Sequence, residues 1–83
     1  MAAYRISVTG ERSHLTAVNR RDISYMLANG MTDGKTRAGI RYTITPGESP
    51  DTYRVRIARN ESDDWGRMRE RVHVATFTAR ATP

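Results

Sequence analysis

The stretch RAGIRYTITPGESPDTYRVRIAR, from Arg37 to Arg59, decides how this chain folds. Ala38, Ile40, Tyr42 and Ile44 alternate with Arg37, Gly39, Arg41, Thr43 and Thr45. Beyond Pro46-Gly47-Glu48-Ser49-Pro50, Tyr53, Val55 and Ile57 alternate with Arg54 and Arg56. Successive side chains of a strand point to opposite faces, so each half predicts a strand with one apolar side. A connection so dense in proline, glycine and serine turns the chain back on itself. The expectation is an antiparallel hairpin of Arg37–Thr45 with Tyr53–Arg59.

Towards the N-terminus, Tyr4, Ile6 and Val8 alternate with Arg5, Ser7 and Thr9, which predicts a half-buried strand over Ala3–Thr9 and then a turn at Gly10-Glu11-Arg12. Ser13–Val18 reads either as a short returning strand or as the approach to a helix. For that helix Asn19 is the expected N-cap, Asp22 stands where a capping-box acid belongs, and Val18 is placed to staple onto Ile23. Ile23, Met26 and Leu27 share one face, and Asn29-Gly30 supplies the stop, for about ten residues. Met31–Thr36 reads as a loop.

Towards the C-terminus, Asn60–Glu70 has two readings. Ser62 would cap one helical turn, with Asp63 and Asp64 at its start and Arg67 and Arg69 at its end as the dipole prefers; Gly66 favours an irregular loop instead. The last strand, Arg71–Arg80, turns Val72 and Val74 inward, yet Phe77 has the opposite parity. Either a bulge near Ala75–Thr76 shifts the register, or Phe77 is exposed. The chain closes in a loose tail within 79–83.

The sum is an α+β domain of order β(β)αβββ, with four or five antiparallel strands and one helix packed on one face. Eighty-three residues allow a single domain, 1–83, built from one pair of layers. Apolar residues make up 37% of the chain, but their regular spacing is that of a folded protein. With no cysteine, neither a disulfide nor a thiolate metal site is open to it. No apolar run approaches the roughly 18–20 residues of a membrane helix. A strand begun by Tyr4–Arg5 leaves no place for an apolar signal segment, so a cytoplasmic location is expected.

Charge gives the functional lead. Thirteen of the fourteen basic residues are arginine, and eight of them fall in the four predicted strands, which hold no acid. All nine carboxylates lie in the turns, the helix or its flanks. One helix covers only one side of the sheet, so the uncovered side is expected to carry Arg5, Ser7, Arg41, Thr43, Arg54 and Arg56, together with Arg71 and His73. Strands lie under about 5 Å apart, and like charges directly opposite repel. Such a face either snorkels into water or awaits an anion. The net charge of +5 favours acidic protein surfaces or polyanions by long-range steering. Arginine's planar, weakly hydrated head suits desolvated contacts.

Nucleic acid is the second choice. Readers of single strands offer aromatic rings on the open face, whereas Tyr4, Tyr42 and Tyr53 share the parity of Ile6, Ile40 and Val55 and point towards the helix. Phosphate contact by arginine remains. Secondary anchors for a partner are Arg21 and Tyr25, four apart on the outer side of the helix, and Trp65, which either closes one end of the core or stands exposed as a hot spot. His14 and His73 have no spacing that makes a metal site, and no glycine elbow surrounds a serine beside His73. No cofactor and no metal are expected. An exposed edge strand leaves monomer and homodimer both open.

Two resemblances follow from these features. Arg54, Arg56, Arg71 and His73 are residue types that RelE-type messenger-RNA-cleaving toxins use on a sheet. The chain departs from them in having one helix where they open with two, and Phe77 where the last strand would carry a catalytic tyrosine or histidine. In overall character, as a small, cysteine-free, strongly charged α+β domain without a catalytic signature, it resembles the anti-CRISPR inhibitors encoded by phages and mobile elements. That resemblance rests on no shared motif. It implies a non-enzymatic, steric mechanism in a bacterial cell, with Arg5, Arg41, Arg54, Arg56 and Arg71 docked on an acidic patch of a CRISPR effector complex.

Overall fold

The structure, a computed structural model, describes residues 3–9 and 14–82. Its elements are β1 (Ala3–Thr9), α1 (Ala17–Ala28), β2 (Asp33–Lys35), β3 (Arg41–Pro46), β4 (Thr52–Ser62) and β5 (Met68–Thr82). The five strands form one antiparallel sheet in the order β1-β5-β4-β3-β2, with α1 on one side. The α+β class, the antiparallel sheet and the single covering helix are as the sequence predicts.

The core lies between α1 and the sheet. Ile23 and Met26 of the helix meet Tyr42 and Ile44 of β3, Val55 and Ile57 of β4, and Ala75, Phe77 and Ala79 of β5. The alternation in β3 and β4 falls as expected, with Tyr42, Ile44, Val55 and Ile57 buried and Arg41, Thr43, Arg54 and Arg56 exposed. Tyr53 stacks on Phe77 with ring centroids 5.5 Å apart.

The fifth strand comes after the helix, not before it. Ser13 lies outside the described residues, as does the turn at Gly10-Glu11-Arg12; residues 14–16 are an extended approach to α1. Asp33–Lys35, read from the sequence as loop, pairs with Arg41–Thr43. The turn between them takes up Arg37–Ile40: Thr36 N–H bonds to the Ile40 carbonyl at 2.9 Å and Gly39 N–H to the Thr36 carbonyl at 3.0 Å. The first strand of the predicted hairpin therefore starts at Arg41.

The helix starts earlier than expected because a better cap lies upstream. Thr16 is the N-cap: its hydroxyl accepts the Asn19 N–H at 3.0 Å, and the Asn19 side chain accepts the Thr16 N–H at 3.2 Å. This reciprocal pair satisfies two donors that a helix end otherwise leaves open. Asn19 is thus the third helical residue, and Asp22 bonds elsewhere. Val18 is 46% exposed and staples nothing, while Leu15 enters the core.

Asn60–Glu70 is neither a helical turn nor a long loop. β4 runs on to Ser62 and β5 begins at Met68, so the two pair in unbroken register from Thr52↔Thr78 to Ser62↔Met68. Asp63 holds the reversal together, its Oδ1 accepting the N–H groups of Trp65 and Arg67 at 2.9 Å each. Gly66 takes φ 75°, where a side chain would be strained. The unbroken register also settles Phe77. There is no bulge, and Phe77 is fully buried. Val72 and Val74 instead turn to the open face, since the inward positions of β5 are filled by Ala75, Phe77 and Ala79. Residues 79–82 belong to β5 and form no tail.

β3 leaves β4 at Ala58 and β1 leaves β5 at Thr76. Among the described residues, Arg59–Ser62 and Met68–Arg71 consequently pair only with each other, as a two-stranded ribbon projecting from the sheet. The molecule measures 47 × 28 × 19 Å.

Candidate functional site

Antiparallel register fixes what the uncovered face presents. Arg5 stands opposite Arg80 across β1 and β5; Arg54 lies between Thr76 and Thr45; Arg56 lies between Val74 and Thr43; Arg41 stands opposite Ala58. These five arginines share the face with one carboxylate from the same four strands, Glu70. Its Oε2 lies 3.3 Å from Arg41 Nη2 and its Oε1 3.3 Å from Arg56 Nη2. The acid was missed because the sequence placed β5's start at Arg71, three residues late. Glu70 is exposed, and ion pairs in such a setting contribute about 0–1 kcal/mol. Its role is to hold two guanidiniums side by side. Arg5, Arg54 and Arg80 have no ion-pair partner among the described residues.

An apolar strip runs beside the arginines. Met68, Val72 and Val74 of β5 are 66%, 48% and 44% exposed. No aromatic residue lies on this face among the described residues, since Tyr4, Tyr42, Tyr53 and Phe77 have the inward parity. Neither the valines nor Arg80 were foreseen as site residues. The signal was the parity of Phe77, which taken at face value turns Val72 and Val74 outward.

The remaining candidates lie elsewhere. Arg71 and His73 have the parity of Ala75 and Phe77 and so face the helix side, against expectation. Arg71 stands opposite Arg59, and both lean on Glu61, with Arg71 Nε 3.1 Å from Oε2. His73 Nε2 lies 2.6 Å from the His14 carbonyl oxygen, so that nitrogen carries the proton and donates. Arg21 and Tyr25 are exposed on α1, across the molecule from the open face, with Arg21 Nε 3.9 Å from Asp22. Trp65 is 87% exposed at the tip of the ribbon and closes no part of the core. Arg69 Nε lies 3.1 Å from Asp63 Oδ2, an ion pair outside hydrogen-bond alignment. Arg54 and Arg56 are thus on one side of the sheet and Arg71 and His73 on the other, so these four do not converge on one substrate.

Among the described residues no cluster of three or more histidines and carboxylates is placed to hold a metal ion. No helix among the described residues is long and apolar enough to cross a membrane. No protein-family model, curated protein or solved structure matches this chain.

Proposed function

We propose that this protein works by binding, and that the open face of its sheet docks onto an acidic surface of a partner protein. The observation that carries this reading is the apolar strip of Met68, Val72 and Val74 set beside five arginines, with Glu70 and, at the far edge on β2, Asp33 as the acids of that face among the described residues. Protein interfaces combine an apolar centre with arginine, which both desolvates readily and pairs carboxylates. A nucleic-acid surface would use the arginines but gains little from exposed valines, and this face has no ring for a base to stack on. In its sharpest form the partner is a subunit of a bacterial CRISPR effector complex and the protein its steric inhibitor, a form supported by size and character alone.

The test uses purified partner recovered from host lysate and titrated with the wild type, Arg54→Ala/Arg56→Ala and Val74→Asp. Both variants are expected to weaken binding, with the arginine pair costing about 2–5 kcal/mol where the contact is desolvated. Undiminished binding by both variants refutes the proposal. A gel shift with DNA or RNA whose affinity falls steeply between about 50 and 200 mM salt favours phosphate contact instead.

A further inference from the structure

On the helix side of the ribbon a groove of about 670 Å³ lies between the entry to α1 and the paired strands. His14 and Val18 form one wall, Arg59, Glu61 and Arg71 the other, and Ile40 and Ile57 the floor. The His73–His14 bond ties the first wall to β5. We infer that this groove takes an extended acidic peptide segment of a partner protein, added as a strand beside Arg59–Ser62.

Charge comes first. Arg59 and Arg71 stand directly opposite each other, and Glu61 serves both, through Oε1 to Arg59 Nη2 and through Oε2 to Arg71 Nε. One carboxylate between two guanidiniums leaves a positive charge uncompensated and most of their N–H donors unmade. A second carboxylate, brought by a ligand, completes the set. The backbone then selects a peptide over other carboxylates. β3 stops pairing at Ala58, so the edge of Arg59–Ser62 has no strand beside it among the described residues. An unpaired edge is a template for an added strand. Side chains of such a strand alternate, so a carboxylate over Arg59 and Arg71 has an apolar neighbour two residues along. Val18, half-buried Ile40 and Ile57 lie there to receive it. The groove is on the opposite side from the open face and does not rest on the function proposed for that face.

The experiment titrates the ¹⁵N-labelled full chain with a short capped peptide of repeating glutamate-threonine-valine-threonine, which sets glutamate and valine two residues apart on one face, its glutamine-for-glutamate counterpart, octanoate and a short single-stranded oligonucleotide. The glutamate peptide is expected to give saturable shifts at the Arg59–Ser62 and Ile40 amides and to slow hydrogen exchange along Arg59–Ser62. Affinity is expected to fall at least about tenfold, near 1.4 kcal/mol, for the glutamine peptide and for Arg59→Gln/Arg71→Gln. Arg54→Ala/Arg56→Ala is expected to leave it unchanged. No saturable shift, equal binding of the glutamine peptide, or equal binding of octanoate or the oligonucleotide each overturns the inference. The peptide comparison uses the wild-type protein, so it decides the matter even where a variant misfolds.

Discussion

The Tyr42 hydroxyl donates to Asp22 Oδ2 at 2.7 Å and accepts from the Asn19 side-chain amide at 3.0 Å, tying β3 to α1. Burial, reinforced by the Asp22 acceptor, pushes the phenol from 10.0 up to about 12. The folded state therefore holds this proton more tightly than the unfolded chain. Its contribution to stability is complete below about pH 10 and is lost as pH rises towards 12. A rise of this size corresponds to about 2–3 kcal/mol. Urea unfolding should show that decline, and Tyr42→Phe should flatten it while costing about 1–3 kcal/mol near neutrality, where Asp22 and Asn19 lose their partner. An unchanged alkaline slope in Tyr42→Phe would show that this phenol does not govern it.

Phe77 is fully buried and stacked on Tyr53. Phe77→Ala is expected to cost about 3–5 kcal/mol in urea unfolding. Val74→Thr, on the open face, is expected to stay within about 0.5 kcal/mol. The reverse ranking would mean that β5 presents its other parity to the helix.

Trp65 emission should be that of a hydrated indole, readily quenched by acrylamide, and should barely move on unfolding. Trp65→Ala is expected to change stability by less than about 0.5 kcal/mol. A blue-shifted, protected emission would place the ribbon tip against the body of the protein.

Glu70→Gln removes the carboxylate that Arg41 and Arg56 share. Later elution from a cation-exchange column and tighter binding to the acidic partner are the expected results, with a stability loss of about 0–1 kcal/mol. Weaker partner binding would instead make Glu70 itself a contact.

Alternation was the part of the fold that the sequence carried well. Arg41, Arg54 and Arg56 landed on the open side because β3 and β4 keep a strict period of two against a helix that covers one face. Where two local signals competed, the reading failed. Thr16 and Asn19 are both acceptable caps, and only the reciprocal bond between them decides the start of α1. Val72 and Val74 outweighed Phe77 by number, but one buried ring between two alanines sets β5's parity. Glu70 and Glu61 went unassigned because ribbon length depends on a five-residue reversal that Asp63 organises through its side chain, a long-range economy that composition does not reveal. Asp33–Lys35 is too short for any periodicity and exists only because β3 lies beside it.

Pairing the first strand with the last sets the order in which the sheet can assemble. Ala3 faces Thr82, so β1, although Tyr4 bonds to Ser24 of α1, has no strand to pair with until the far end of the chain is in place, whereas β2 to β5 are joined by short reversals. Closing so large a loop comes at an entropic cost that only late contacts repay. We expect the meander to nucleate and β1 to lock last, in which case Ile6→Val accelerates unfolding in stopped-flow measurements and leaves the refolding rate nearly untouched.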